Sequence, residues 1–274
     1  MPQFLPWALR SFSEAMFKNG GALSNYRHLV LAAQRWVPSS RVYMMPAWEM
    51  VEKWEMLTPV NHRTPIPETL VMAMCALAWH LKWYAWVGAT VLAFYGAGRL
   101  GEILRCSRED LVLPSDVLEP IGAPVFLRLR SFKSQTRQPA KVQHMKVVDA
   151  TASRILTVIF RKLPLEAPLF GALPYQYRKR WDLLLEKLGI GKDFQLTPGG
   201  LRGGAAVYHY KNGKAIADLL WLLRLRSQST LESYLQEVAA LNLLAKLSPK
   251  VRSCIQTFAA TFAFLTAGDC PLAG

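Results

Sequence analysis

Cysteine, acid and long apolar runs are what this sequence has least of. Four cysteines (Cys75, Cys106, Cys254, Cys270) in 274 residues exclude a disulfide scaffold. Their spacing matches no zinc pattern, so they read as reduced, mostly buried thiols of an intracellular protein. Asp and Glu number 19 against 33 Lys and Arg, a formal net charge of +14. Such an excess points to nucleic acid, an anionic membrane surface or acidic substrates, and on a well-folded chain it favours nucleic acid. The most apolar stretch, 69–98, is broken by His80 and Lys82, and its second part holds three glycines and ends at an arginine. A span needs about 20 mostly apolar residues, so the stretch reads as two buried helices and no membrane partner is expected. The first residues carry no positive segment followed by a small-residue cleavage site, so no signal peptide is expected. Internal repeats and low-complexity tracts are absent too. What is present is 51% hydrophobic and 11% aromatic residues. That is enough to bury a core, and it excludes a disordered chain. The length suits one or two domains.

Three segments, 7–18, 23–36 and 46–57, repeat apolar residues at helical spacing and are punctuated by Pro38, Pro46 and Pro59. Asn61-His-Arg-Thr-Pro-Ile-Pro67 reads as a stiff linker, because Thr64 before Pro65 disfavours helix. Helices are expected near 67–82 and 85–97, then a turn at Gly96-Ala-Gly98 and a short helix over 100–106. Residues 111–114, 125–130 and 142–148 run in strand fashion, the last two joined by a polar hairpin-like connection, 131–140. Helices resume at 152–162, 175–188, 201–210, 215–223 and 230–247, and another apolar helix follows toward 265. The fold class is therefore mainly α with a small antiparallel β-sheet.

Four features could carry chemistry. The first is Gly98-Arg99-Leu-Gly-Glu102, with Asp110 eleven residues after the arginine. Glu102, three residues on, could hold the Arg99 guanidinium. The second is an acid-free basic window with Arg128, Arg130, Lys133, Arg137, Lys141 and Lys146. It is either one solvated sheet face or a hairpin laid against phosphates. The third is Thr197-Pro-Gly-Gly-Leu-Arg202-Gly-Gly, either a tight inter-helix turn or an anion site at a helix start. No Gly-Lys-Ser/Thr follows, so it is not a Walker loop. The fourth is Ser229-Thr-Leu-Glu232-Ser-Tyr234, read as a capping box with Tyr234 in the second helical turn.

Taken in order, these residues resemble the tyrosine recombinase (phage integrase) family over about residues 60–245. The wording Leu-Arg-Gly-Gly and Thr-Leu-Glu-x-Tyr-x-Gln-Glu is most similar to divergent versions from mobile elements of microbial eukaryotes. The resemblance implies three parts: residues 1–62 a short helical core-binding-like domain, 63–248 the catalytic domain and 249–274 a helical tail suited to packing on a neighbouring protomer. It implies a double-stranded DNA partner, self-association into a synaptic tetramer on DNA and a nuclear or nucleoid location. It also implies strand cleavage and rejoining through a 3′-phosphotyrosyl intermediate with no metal, ATP or other cofactor. In that scheme Arg99 and Arg202 clamp the phosphoryl oxygens, Lys133 is the general acid for the 5′-oxygen and Tyr234 is the nucleophile. Two family positions depart from pattern. Gly199 stands where a histidine is usual, and Leu225 where a histidine or tryptophan donates to the phosphate. Arg226 or Trp221 is the expected substitute at the second. Two alternatives stay open: an inactive DNA-binding relative and a type IB topoisomerase-like enzyme.

Overall fold

The computed structural model describes residues 3–58, 63–129, 143–235 and 237–266. The chain separates into two compact units, 1–62 and 63–274. The first unit contains three helices, α1 (Leu5–Lys18), α2 (Leu23–Trp36) and α3 (Met45–Leu57). Their apolar faces meet in a small core of Leu9, Tyr26, Val30, Met44, Ala47, Val51 and Trp54. Tyr26 lies parallel to Trp54 at 6.0 Å, and its hydroxyl donates to the Ala47 carbonyl at 3.2 Å.

In the second unit, α4 (Glu68–His80) and α5 (Tyr84–Tyr95) are apolar all round and therefore buried. They are the two halves of the 69–98 stretch. Among the described residues no helix is long and apolar enough to cross a membrane. A four-residue helix, α6 (Leu100–Ile103), follows the turn at Gly96-Ala97-Gly98. Ala97, not a glycine, takes the positive φ of 51° there. The flanking glycines serve packing instead: a Cβ on Gly96 would collide with Met145, and one on Gly98 with Ile103.

The sheet is antiparallel in the order β1 (Leu111–Val112), β2 (Val125–Leu129), β3 (Gln143–Val147). Leu127 pairs with both Leu111 and Met145. Val125, Leu127, Leu129, Met145 and Val147 face the core, leaving Arg128, His144 and Lys146 among the outward residues. The rest is helical: α7 (Ala150–Phe160), α8 (Pro174–Lys187), α9 (Leu201–Lys211), α10 (Ile216–Leu222), α11 (Gln228–Glu232), α12 (Glu237–Lys246) and α13 (Pro249–Thr261). Mostly helical with a three-stranded antiparallel sheet, the second unit is of the α+β class expected.

Three expectations need correction. The single helix over 230–247 is two, α11 and α12. The cap of α11 is Ser227, whose hydroxyl accepts from Thr230 N, and not Ser229. Helix α11 ends at Glu232, so Tyr234 lies in the turn beyond it rather than in a second helical turn, its amide bonded to the Leu231 carbonyl at 2.8 Å. Helix α13 packs against α4 and buries Ile255 and Ala259, and Phe262, just beyond it, is stacked on Tyr95 at 6.2 Å. Of the cysteines, Cys75 and Cys106 are buried and Cys254 half-buried; Cys270 lies outside the described residues.

Candidate active site

Arg99 is the residue at which the chain leaves the Gly96–Gly98 turn and enters α6. Its guanidinium NH1 donates to Glu102 Oε1 at 2.9 Å, one turn on. The second oxygen of that carboxylate accepts from a residue 122 positions away: Arg224 NH2 lies 2.8 Å from Glu102 Oε2. The Glu102 side chain is only 6% exposed and Arg224 12%. Arg224 NH1 also donates to Gln143 Oε1 at 3.2 Å, which ties the first residue of β3 to the cluster.

Arg202 joins them from the first turn of α9. Its NH2 donates to the Leu223 carbonyl, and its guanidinium carbon sits 5.7 Å from the centre of the Tyr234 ring. The residue is 6% exposed, and its Nε and NH1 have no hydrogen-bond partner among the described residues. Burial, followed by the charge of Arg99, pulls its pKa down to about 10, partly opposed by Tyr234 and Glu102. Burial likewise lowers that of Arg224, against the pull of Glu102. Three guanidiniums thus share one carboxylate, which leaves a local net charge of +2 in a poorly solvated place. Buried charge without matching counter-charge is unfavourable, so such a site is built to receive an anion.

The glycines of Thr197–Gly204 have a local reason. The extended segment 63–66 runs directly over them, and Ile66 N donates to the Gly200 carbonyl at 3.2 Å. A Cβ on Gly200 would strike the Thr64 carbonyl, and one on Gly204 the Ile66 carbonyl. A side chain at Gly199 would meet the guanidinium of Arg63. The close approach expected of these glycines is therefore made by the chain's own linker, and Arg63 fills the space where a residue-199 side chain would begin.

The structure brings Arg99, Glu102, Arg202 and Tyr234 together. It does not bring Arg226 in. Arg226 is exposed, Trp221 is 73% exposed, and Leu225 is packed against the core. The basic residue at this corner is Arg224, which sequence reasoning passed over. Counting back from Tyr234 found the neighbourhood but not the residue. Of the basic window, Arg128 pairs with buried Asp110 at 3.2 Å, and Lys146 Nζ lies 5.4 Å from the centre of the Phe126 ring. Arg128 thus has an acid partner within the fold, 18 residues upstream, while its side chain stays half exposed. Arg130, Lys133, Arg137 and Lys141 lie outside the described residues. No group of metal-ligating side chains occurs among the described residues.

No protein-family model and no curated protein matches the chain. Among solved structures, the crystal structure of XerA recombinase superposes with a TM-score of 0.50 at 16% identity, covering 82% of this chain and 82% of that one. The likeness is one of fold.

Proposed function

We propose that this protein is a DNA strand transferase of the tyrosine-recombinase kind, with Tyr234 as nucleophile. The observation that carries the reading is the convergence of Arg99, at the start of α6, with Arg202 of α9 beside the Tyr234 ring, two Arg202 nitrogens being buried with no hydrogen-bond partner among the described residues. A phosphodiester supplies the missing acceptors and the missing negative charge. In the transition state that charge grows on the non-bridging oxygens, where guanidinium donors are most effective. The Tyr234 oxygen attacks phosphorus, the Tyr–O–P bond forms, and the bond from phosphorus to the 5′-oxygen breaks. The phenol proton leaves to solvent, and Lys133 delivers a proton to the departing oxygen. Rejoining is the reverse, so the bond energy is kept and no ATP is consumed. Lys133 stands between β2 and β3 in the sequence, and β3 touches the cluster through Gln143, which supports its assignment. The helical unit 1–62 would supply further DNA contacts, with assembly into a synaptic tetramer on paired sites. A mobile-element origin fits the sequence wording.

The test is a nicked duplex whose short 5′-hydroxyl fragment diffuses away after cleavage. A denaturant-resistant adduct mapping to Tyr234, absent in Tyr234→Phe, is expected. A second reading, DNA binding without strand transfer, is favoured by one observation: Leu225 is an apolar side chain packed into the core. Tight, salt-sensitive duplex binding with no adduct would establish it.

A further inference from the structure

We infer that Arg224 is a catalytic residue in its own right, a third guanidinium that donates through Nε to the transferring phosphoryl group. The inference rests on the strand-transfer reading.

Two of its donors are accounted for inside the protein. NH2 holds Glu102 and NH1 holds Gln143. Nε is buried and has no hydrogen-bond partner among the described residues. A guanidinium fixed at both terminal nitrogens has a fixed orientation, so its Nε–H is preorganised and needs no rearrangement when charge develops. Arg224 also shares Glu102 with Arg99 and lies close enough to Arg202 for the charges to act on each other. Any anion held by Arg99 and Arg202 therefore sits within the field of Arg224.

The backbone supplies an independent observation. Arg224 closes α10 in a left-handed conformation, φ 52°. Its amide bonds to the Trp221 carbonyl at 2.9 Å, and the Leu225 amide bonds to the Leu220 carbonyl at 2.8 Å. That pair of bonds is a Schellman ending, where glycine is the favoured residue. An arginine here is strained, and strained non-glycine residues of this kind gather at functional sites. Glycine would serve the helix better, so what this position gains from arginine is its side chain.

The experiment compares wild type, Arg224→Gly and Arg224→Lys. Covalent capture from a pool of nicked duplexes with randomised sequence first identifies a cleavable sequence. That duplex is then made with a phosphodiester or an uncharged methylphosphonate at the scissile position. In Arg224→Gly the relief of left-handed strain is set against the loss of a buried partner of Glu102, so its thermal midpoint should stay near or below that of wild type. It should cleave the phosphodiester about 10²–10³-fold more slowly than wild type. On the methylphosphonate the wild-type-to-variant ratio should collapse toward unity, since the charge Arg224 would stabilise has been removed. Arg224→Lys keeps a cation near Glu102 but loses the planar fork. It should show the same collapse from a smaller deficit, and it decides the question if the glycine variant does not fold. A wild-type protein that never forms an adduct overturns both this inference and the strand-transfer reading. If wild type forms the adduct, a variant that matches its rate, or is slowed equally on the two substrates, overturns this inference alone.

Discussion

Replacing Arg202 by methionine removes a buried cation while keeping an unbranched stem of similar reach. Burial and the charge of Arg99 hold the guanidinium pKa down at about 10, well below its ordinary value, so the fold works against its charged form. At about 1.4 kcal/mol per pKa unit this is on the order of 3 kcal/mol at neutral pH. It already includes the favourable pull of Tyr234 and Glu102. Methionine additionally leaves the Leu223 carbonyl without its donor, ~1–2 kcal/mol. The variant should therefore be more stable than wild type by ~1–2 kcal/mol, with about 2–4 °C in thermal midpoint for each kcal/mol in a unit of this size. Adding sulfate should reverse the order. Wild type gains by mass action on an occupied anion site, whereas the variant shows only the general salting effect. The sign of the pH dependence also follows. A base whose folded pKa is depressed carries a constant penalty below that pKa, relieved as pH rises through about 10. The difference between the two proteins should hold steady from neutrality to about pH 9 and narrow above it. Thermal and urea unfolding monitored by circular dichroism would check all three. A methionine variant that melts well below wild type without anion, or gains as much from sulfate, would refute the view of this site as an unfilled anion receptor.

Gly204→Ala sets a helix-favouring residue against the Ile66 carbonyl, so it should destabilise by ~1–3 kcal/mol in urea titrations. Gly101→Ala, in α6 with open space around it, should instead stabilise by up to ~1 kcal/mol. His209 is buried, its Nε2 is 3.0 Å from the Tyr95 carbonyl, and burial lowers its pKa below the usual 6.5. The unfolded chain then takes up its proton first on acidification. The stability His209 confers is whole above about pH 6.5 and is lost as pH falls toward the folded pKa. His209→Gln should flatten that part of a pH–melting profile. Arg128→Ala removes a partner of a buried carboxylate, so beyond any effect on DNA it should lower the free energy of unfolding by ~1 kcal/mol. Duplex affinity of the wild type should fall with salt at a log–log slope of about −0.9 per phosphate neutralised, measured by fluorescence anisotropy.

Much of the fold was legible because its signals are local. The all-apolar α4 and α5 and the alternation in β2 need no tertiary information to be read. The split of 230–247 into α11 and α12 was not legible, since Ser227, Ser229 and Thr230 can each cap a helix and only packing chooses among them. The pairing of Arg99 with Glu102 follows from a three-residue helical spacing. By contrast, Arg224 and Glu102 are 122 residues apart, and nothing in the local pattern joins them. The ending of α10 also hid its signal. A Schellman turn is ordinarily announced by glycine, and here the left-handed position holds Arg224. The pairing of Arg128 with Asp110 was hidden for a related reason: it depends on the strand pairing that brings β1 beside β2, not on any local spacing.

Glu102 explains how such a cluster is tolerated at all. Each of its oxygens holds a different arginine, so one buried carboxylate fixes two guanidiniums from opposite ends of the unit. Had each arginine its own acid, the cluster would be neutral and indifferent to an anion. With no acid, mutual repulsion of buried cations would splay the helices that carry them. One acid among three bases lies between these limits: it sets the geometry and leaves a positive excess. Glu102→Gln should therefore do more harm than its single lost charge suggests. The amide can accept from one arginine through its oxygen, but its NH2 confronts the other, donor against donor. The expected outcome is a loss of ~3–5 kcal/mol in stability, the range for breaking a buried pair, with recovery when sulfate or a duplex is added. Unfolding curves with and without anion would read both effects. A glutamine variant as stable as wild type would show that the arginines stand without their shared acid, and would remove Glu102 as the reason that three cations meet.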